Sequence, residues 1–472
     1  MARSECRKIC ILTLTIAGGN IMTNIVLHKE KTLGEIKPMH AVGQPPFFQT
    51  DYSYIKYLKE ANIPYSRLHD VGGAYGGFVF VDIPNIFRDF EADVDDPESY
   101  DFTFTDILIS ELIKNDCEPI YRLGVTIENW HHVKAYRIFP PKDTQKWAKI
   151  CEHIVRHYNE GWADGFEYNI KYWEIWNEPD NGVDNSQNMM WHGTKEEYFE
   201  LYRVTSKHLR SCFGNSIKIG GYGHSGFYVV DNGDITKYIG AALGMGNKDT
   251  GVEFSVWEHR IMYFITFFNE FIDMVVKEKL PFDFFSHHSY ASVENTLLRQ
   301  RYVEERLEEA GLSHVEIHLN EWNPLPSRET KGTAFSCANS VAMTCAMQNT
   351  KMKMMCYYDA RISQSMYAGL FNPLTYEPFC IYYGFKAFGS LYRLGTQLKC
   401  DCNNESVYAV AATDGSKNAV LIANIGEDTE VSLNMSNIIA YLIDEQHLME
   451  QVDINAENFT LAKNQVIYIE EI

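Results

Sequence analysis

Two short stretches hold the residue types that chemistry needs. Tyr172-Trp173-Glu174-Ile175-Trp176-Asn177-Glu178-Pro179 ends a β-like run with an Asn-Glu pair. His318-Leu319-Asn320-Glu321-Trp322-Asn323 closes another run in the same way. Two carboxylates at two strand ends can divide the work of cleaving a glycosidic bond. One gives and then takes a proton, the other attacks the anomeric carbon, and water completes a retaining double displacement. Such a pair needs a rigid frame that gathers distant strand ends, and a parallel barrel does this at its C-terminal rim.

The chain supplies the elements of that frame. Strand-like apolar runs alternate with amphipathic helical segments, which predicts a parallel α/β sheet. Eight runs can be placed, at 37–43, 65–69, 119–124, 172–177, 218–221, 284–290, 315–321 and 354–358. Helical patterns fill the gaps. Behind Asp143, a candidate N-cap, Trp147, Ile150, Ile154 and Tyr158 recur at three or four residues and give one apolar face. The predicted fold is therefore α/β, a (β/α)8 TIM barrel over residues 37–392 with both glutamates at its C-terminal strand ends. After about Arg393 the pattern changes to short strands at 408–412, 419–424, 430–434, 439–443 and 465–470, separated by Asp-Gly and Asn-rich turns. This predicts an accessory C-terminal β-sandwich built from residues 24–36 plus 393–472.

Composition narrows the partners. Among 472 residues, 42 are Lys or Arg and 63 are Asp or Glu, a net charge of −21. That argues against nucleic acid or an anionic membrane as partner and suits an uncharged substrate. Aromatic residues make up 14% of the chain, enough both for core packing and for stacking platforms in a sugar cleft. The eleven cysteines show no short-spaced metal pattern, and Cys400 and Cys402 are too close for an ordinary zinc pair. Cys117, Cys151, Cys337, Cys345 and Cys356 lie in apolar contexts and read as free buried thiols, which points to a reducing, cytoplasmic compartment. Residues 1–23 pull the other way. Arg3, Arg7 and Lys8 precede a short apolar run from Ile9, like a secretory signal, which would make the protein secreted. The alternative is an extension ahead of a true start at Met22. No other stretch approaches the ~20 apolar residues of a membrane span.

With these motifs the chain resembles glycoside hydrolase family 39, the family of β-xylosidases and α-L-iduronidases, over roughly residues 35 to 470. The resemblance implies roles. Glu178 matches the acid/base and Glu321 the nucleophile. Asn177 would hold the sugar 2-hydroxyl. In Arg67-Leu68-His69, Arg67 would keep Glu321 ionised and His69 would bind a sugar hydroxyl; the competing reading has Arg67 as a structural partner of Glu174. In His288-Ser289-Tyr290, which matches the family's His-x-Tyr, Tyr290 would orient the nucleophile. Trp322 would wall the subsite or pack in the core. Glu174, deeper on its strand, reads as a buried ion-pair partner, and His287, of opposite parity to His288, as core. Neither cofactor nor metal is implied.

The expected substrate is an oligosaccharide or small glycoside ending in β-D-xylose. Departures from the family pattern at residues 128–132 and at Tyr357-Tyr358-Asp359 keep other pyranosides open, among them α-L-arabinopyranosides, iduronides and β-glucosides. Asp359 and Arg361 could read polar substituents. A uronate would want a base near its carboxylate, for which Arg361, Lys134 and Arg137 are candidates, unless they are ordinary solvated bases. A silent sugar-binding barrel is a competing class, opposed by the intact glutamates. A metal-dependent sugar isomerase is another, opposed by the lack of ligand pairs at metal spacing. The sandwich leaves a homo-oligomer open.

Overall fold

The structure is a computed structural model that describes residues 22–46, 48–49, 52–71, 80–127, 138–182, 188–227 and 256–472; side chains are described except at 48–49, 52 and 256–261. Residues 1–21, the loop at 128–132, Lys134 and Arg137 lie outside the described residues.

In chain order the elements are β1 (Thr23–Glu35), β2 (Ala41–Gly43), a small hairpin of β3 (Phe48–Gln49) and β4 (Tyr52–Ser53), α1 (Lys56–Glu60), β5 (Tyr65–Leu68), α2 (Ile83–Ile86), α3 (Thr103–Lys114), β6 (Glu118–Leu123), α4 (Thr144–Glu160), β7 (Tyr172–Ile175), α5 (Lys195–Phe213), β8 (Lys218–His224), α6 (Val256–Glu278), β9 (Phe284–Ser289), α7 (Val293–Glu309), β10 (Glu316–Trp322), α8 (Ala334–Gln348), β11 (Met352–Tyr357) and α9 (Cys380–Leu394). Strands β2, β5, β6, β7, β8, β9, β10 and β11 close into a barrel, each parallel to its neighbours. This is the predicted TIM barrel.

Local signals set the helix starts. The Asp143 side chain accepts from the Gln145 and Lys146 amides at the start of α4. Thr194 and Glu197 form a capping box on α5. Inside the barrel, the alternation of strand side chains builds layers. Ala41, Ile120, Tyr172, Phe284, Met354 and Cys356 make an apolar floor. Two residues further along three of these or neighbouring strands, the inward positions become Arg67, Glu174 and Ser286, all buried. The mouth of the barrel thus rests on a polar layer.

The C-terminal region continues with β12 (Thr396–Cys402), β13 (Val407–Thr413), β14 (Asn418–Asn424), β15 (Thr429–Leu433), β16 (Ile438–Ile443), β17 (Leu448–Val452), β18 (Phe459–Leu461) and β19 (Val466–Glu471). The layered unit expected here is one mixed nine-stranded sheet that includes β1, curled over a core of Ile25, Leu27, Leu398, Val420, Ile422, Ile467 and Ile469. β1 runs antiparallel to β12 and parallel to β15. Leu421 and Tyr468, of opposite parity, join the main core instead, on the side of α8 and α9. The Gln348 side chain at the end of α8 fastens the two parts. Its Oε1 accepts from the Lys37 amide at 2.9 Å, and its Nε2 donates to the Glu35 carbonyl (2.9 Å) and Gln397 Oε1 (2.8 Å). No helix among the described residues is long and apolar enough to cross a membrane.

Candidate active site

Three backbone irregularities aim side chains at the centre of the barrel mouth. After β7, Trp176 takes a left-handed backbone (φ +74°), and Glu178 does so again (φ +45°). Both are unusual for large side chains, and such strain concentrates at working sites. Trp176 turns outward, its ring 6.0 Å from that of Trp147 and 5.0 Å from that of Trp191, while Asn177 is buried at the mouth. The Glu178 amide is held by the Tyr222 and Gly223 carbonyls at 3.1 and 3.0 Å.

The second irregularity is in β10. Leu319 pairs with His287, but Glu321 pairs with His288, so one extra residue is accommodated between them. This bulge lets both Asn320 and Glu321 reach partners inside the barrel, where strict alternation would expose only one. The third is Gly223 (φ +63°), where an added Cβ would lie 2.7 Å from Asn177 Oδ1.

Arg67 organises what these bends deliver. Fully buried on β5, it donates from Nε to Glu174 (2.6 Å), from Nη1 to Glu321 (2.8 Å) and from Nη2 to Asn177 Oδ1 (2.6 Å). The two readings of Arg67 are therefore satisfied at once. Glu174 also accepts from Ser286 Oγ (2.5 Å) and from Asn320 Nδ2. Glu174 is a buried structural counter-charge, in keeping with the high cost of leaving such a guanidinium unpaired.

Glu321 accepts a second hydrogen bond from Tyr290 Oη at 2.7 Å, and His288 Nδ1 lies 3.5 Å from its Oε2. Burial pushes the Glu321 carboxyl above the usual range, while the charges of His288 and Arg67 pull it back. Glu178 is 13% exposed; its Oε1 is 2.7 Å from His288 Nδ1 and its Oε2 accepts from Asn181 at 2.6 Å. Burial opposes protonation of His288, but Glu321 and Glu178 outweigh it and raise its pKa. His69 is held neutral, its pKa pushed well below the ordinary value by burial and the nearby arginines; its Nε2 stands 3.3 Å from Asp70 and 3.7 Å from Glu321. One oxygen each from Glu178 and Glu321 and a nitrogen of His288 lie within 4.8 Å of one another. A divalent cation could bridge such a set, but Arg67 already places a positive charge against Glu321.

The structure brings Arg67, His69, Asn177, Glu178, His288, Tyr290 and Glu321 together. It does not bring Trp322. Its ring is buried against Tyr357 (5.2 Å) and Phe385 of α9 (6.1 Å), on the helix side of β10, because the bulge turns Glu321 inward and the next residue outward. Trp322 is core packing and no wall of the mouth. His287 is also core, next to Phe227 and 3.4 Å from Gln300 Oε1, with burial lowering its pKa to about 3. Arg361 is tied to the buried Asp359, with Nη2 at 2.6 Å and Nε at 3.1 Å, and lies over the Tyr358 ring. Asp359 is thus consumed by Arg361.

Sequence reasoning missed three contributors. Tyr358 and Tyr367 pack edge-on or tilted around Tyr290, with ring centres 5.1–6.0 Å apart, and Tyr358 Oη donates to Asp70 at 2.8 Å. Asp180, wholly buried behind Glu178, accepts from Ser225 Oγ (2.9 Å) and the Ser225 amide (3.3 Å); burial and the Glu178 charge raise its pKa to about 7. A carboxyl two residues beyond Glu178, and a tyrosine pair at the end of the eighth run, were the available signals.

Known proteins are similar to this chain in sequence and in fold. At 22% identity over 269 residues, the chain is similar to a beta-xylosidase of Geobacillus stearothermophilus, the match covering 50% of this chain and 44% of that protein. A beta-xylosidase of Caldicellulosiruptor saccharolyticus matches at 24% over 251 residues, 48% of this chain and 42% of its own. The chain spans about half the length of the curated relatives it matches. Among solved structures, a glucosidase from Croceicoccus marinus superposes with a TM-score of 0.71 at 17% identity, covering 96% of this chain and 99% of its own. A monomeric beta-xylosidase from Caulobacter crescentus CB15 gives 0.63 at 16%, covering 95% and 99%. Those likenesses carry the fold. The sequence model of glycosyl hydrolases family 39 matches residues 24–341, more than half of the chain, and the chain belongs to that family.

Proposed function

We propose that the protein is a retaining exo-glycosidase that removes terminal β-D-xylose from oligosaccharides or small glycosides. The observation that supports this most is the triangle of Glu178, Glu321 and His288 within 4.8 Å at the barrel mouth. Retaining enzymes hold their carboxyl groups about 5–5.5 Å apart, whereas inverting enzymes leave about 6.5–9.5 Å for a water. The beta-xylosidase relatives and the family favour the sugar.

In this reading Glu321 attacks the anomeric carbon. Arg67 and Tyr290 donate to its two oxygens and stabilise the charge it carries before attack. Glu178 gives its proton to the leaving oxygen and then takes one from water. The bond from carbon to the aglycone oxygen breaks as the bond to Glu321 forms, and hydrolysis of that ester returns both residues to their starting state. Asn177, fixed by Arg67, offers its amide to the 2-hydroxyl.

The test is a panel of nitrophenyl glycosides with two variants. Glu321→Ala abolishes turnover of the β-xyloside and recovers part of it with azide, giving the azide of inverted configuration. Glu178→Ala spares substrates with good leaving groups in the first step. Absence of azide rescue, or equal losses of Glu178→Ala on activated and unactivated glycosides, removes these roles. A second reading, hydrolysis of a glucoside, is favoured by the likeness to the Croceicoccus glucosidase. Preference for the β-glucoside in the same panel selects it.

A further inference from the structure

Away from the barrel mouth, on the outer face of the helix layer, three potential metal ligands converge without serving the site described above. Glu152 lies on α4; His208 and Cys212 lie on α5, one helical turn apart and therefore on one face. His208 Nε2 stands 2.6 Å from Glu152 Oε2 and 3.8 Å from Cys212 Sγ. All three ligand atoms lie within 4.8 Å of one another, and all three residues are partly exposed. We propose that Glu152, His208 and Cys212 form a binding site for a divalent cation of the zinc class that clips α4 to α5.

The bland alternative is an ion pair between helices. It accounts for Glu152 and His208 but leaves Cys212 unexplained. Most described cysteines are fully buried as apolar filler, whereas Cys212 is partly exposed and its sulfur lies near the nitrogen that faces the carboxylate. With Zn–N about 2.0–2.1 Å and Zn–S about 2.3 Å, neighbouring atoms of a tetrahedral site stand about 3.3–3.6 Å apart. The observed separations bracket that spacing, so small rotamer shifts suffice. Imidazole, thiolate and one carboxylate oxygen are a mixed set that suits zinc and disfavours magnesium or calcium.

The surroundings fit. Arg156 Nε donates to the other oxygen of Glu152 at 2.8 Å, which orients the carboxylate and leaves Oε2 for a cation. Arg156 also pairs with Glu160, so its positive charge is answered locally. Partial exposure gives an entry path and leaves the fourth position to water. On binding, Cys212 loses its thiol proton to solvent, and His208 keeps its remaining ring proton on Nδ1. The clipped helices flank β7, the strand that leads to Glu178.

The experiment uses the full chain, reduced and stripped with chelator, then titrated with Zn²⁺ against a chromophoric chelator. The wild type should bind one equivalent at this site. Cys212→Ser should weaken that binding at least about a hundredfold, since even partners behind the ligands commonly contribute 10–100-fold. Cobalt(II) should give a thiolate-to-metal charge-transfer band that Cys212→Ser abolishes. Turnover of the variant without metal should match the wild type, which shows that its fold is intact. Zinc binding that survives in Cys212→Ser, a cobalt complex without the thiolate band, or no binding by the wild type would each overturn the proposal.

Discussion

Arg67 shows how much one side chain can settle. A lone guanidinium in the barrel would be expensive to bury, and so would either glutamate. Together, with Asn177, they are mutually satisfied by three bonds of 2.6–2.8 Å. The arrangement has little slack, and Gly223 is where that can be tested. Its left-handed backbone disfavours any side chain, and a methyl group there would meet Asn177 Oδ1 at 2.7 Å and Arg67 Nη2 at 3.2 Å. Gly223→Ala should lower kcat/KM about a hundredfold, the effect of displacing a positioned group by about 1 Å, while the protein still folds. Activity within a few-fold of wild type, with an unchanged pH profile, would show that Gly223 does not position the pair. At this scale the sequence was largely legible, because Asn-Glu pairs and the Arg-x-His and His-x-Tyr elements are local. Trp322 was not, since its direction depends on a bulge between Leu319 and Glu321 that no residue type announces. Tyr367 and Asp180 escaped because their partners are far away in sequence.

Among elements, the barrel strands were readable from apolar runs of buried residues, and the ends shifted by only a few positions. The first run shrank most, to Ala41–Gly43, where Pro38 removes a donor. The C-terminal sheet was less transparent. β17 carries polar residues on both faces and shows no alternation, and β18 alternates only over three residues, Phe459 to Leu461, too short a run to read as a strand. β12 does alternate, through Leu398, Cys400 and Cys402, but apart from Thr396 it holds no β-branched or aromatic residue and so reads weakly as a strand. The link between the ends of β7 and β8 has its own signature. Asp180 bridges it through Ser225, and its pKa of about 7 exceeds the ordinary 3.8. A group whose pKa rises on folding stabilises the fold fully below its unfolded value and loses that contribution as pH climbs to the folded one. Stability should therefore fall between about pH 4 and pH 7, by up to about 1.4 kcal/mol per pH unit from this group. Asp180→Asn should flatten that part of the curve in urea titrations taken across the window. An unchanged slope would mean that Asp180 is ionised throughout.

For the whole molecule, the curled sheet and the barrel share a core: Leu421 and Tyr468 lie in the same cluster as Phe385 and Leu391 of α9. Gln348 adds three hydrogen bonds at the seam, one buried and two partly buried. The two parts should melt together, in one calorimetric transition whose enthalpy agrees with its van't Hoff value. A chain cut after Gly395 should fail to accumulate as soluble protein, because α8 and α9 would present their apolar faces to water. Two separated transitions, or a soluble shortened barrel, would contradict this. The position of β1 bears on how the protein is made. Its pairing partners, β12 and β15, emerge from the ribosome only some hundreds of residues later. At translation speeds of about 5–20 residues per second, Ile25 and Leu27 wait tens of seconds with no strand to pair with. During that interval Ile25 and Leu27, both buried in the finished sheet, stay exposed to water.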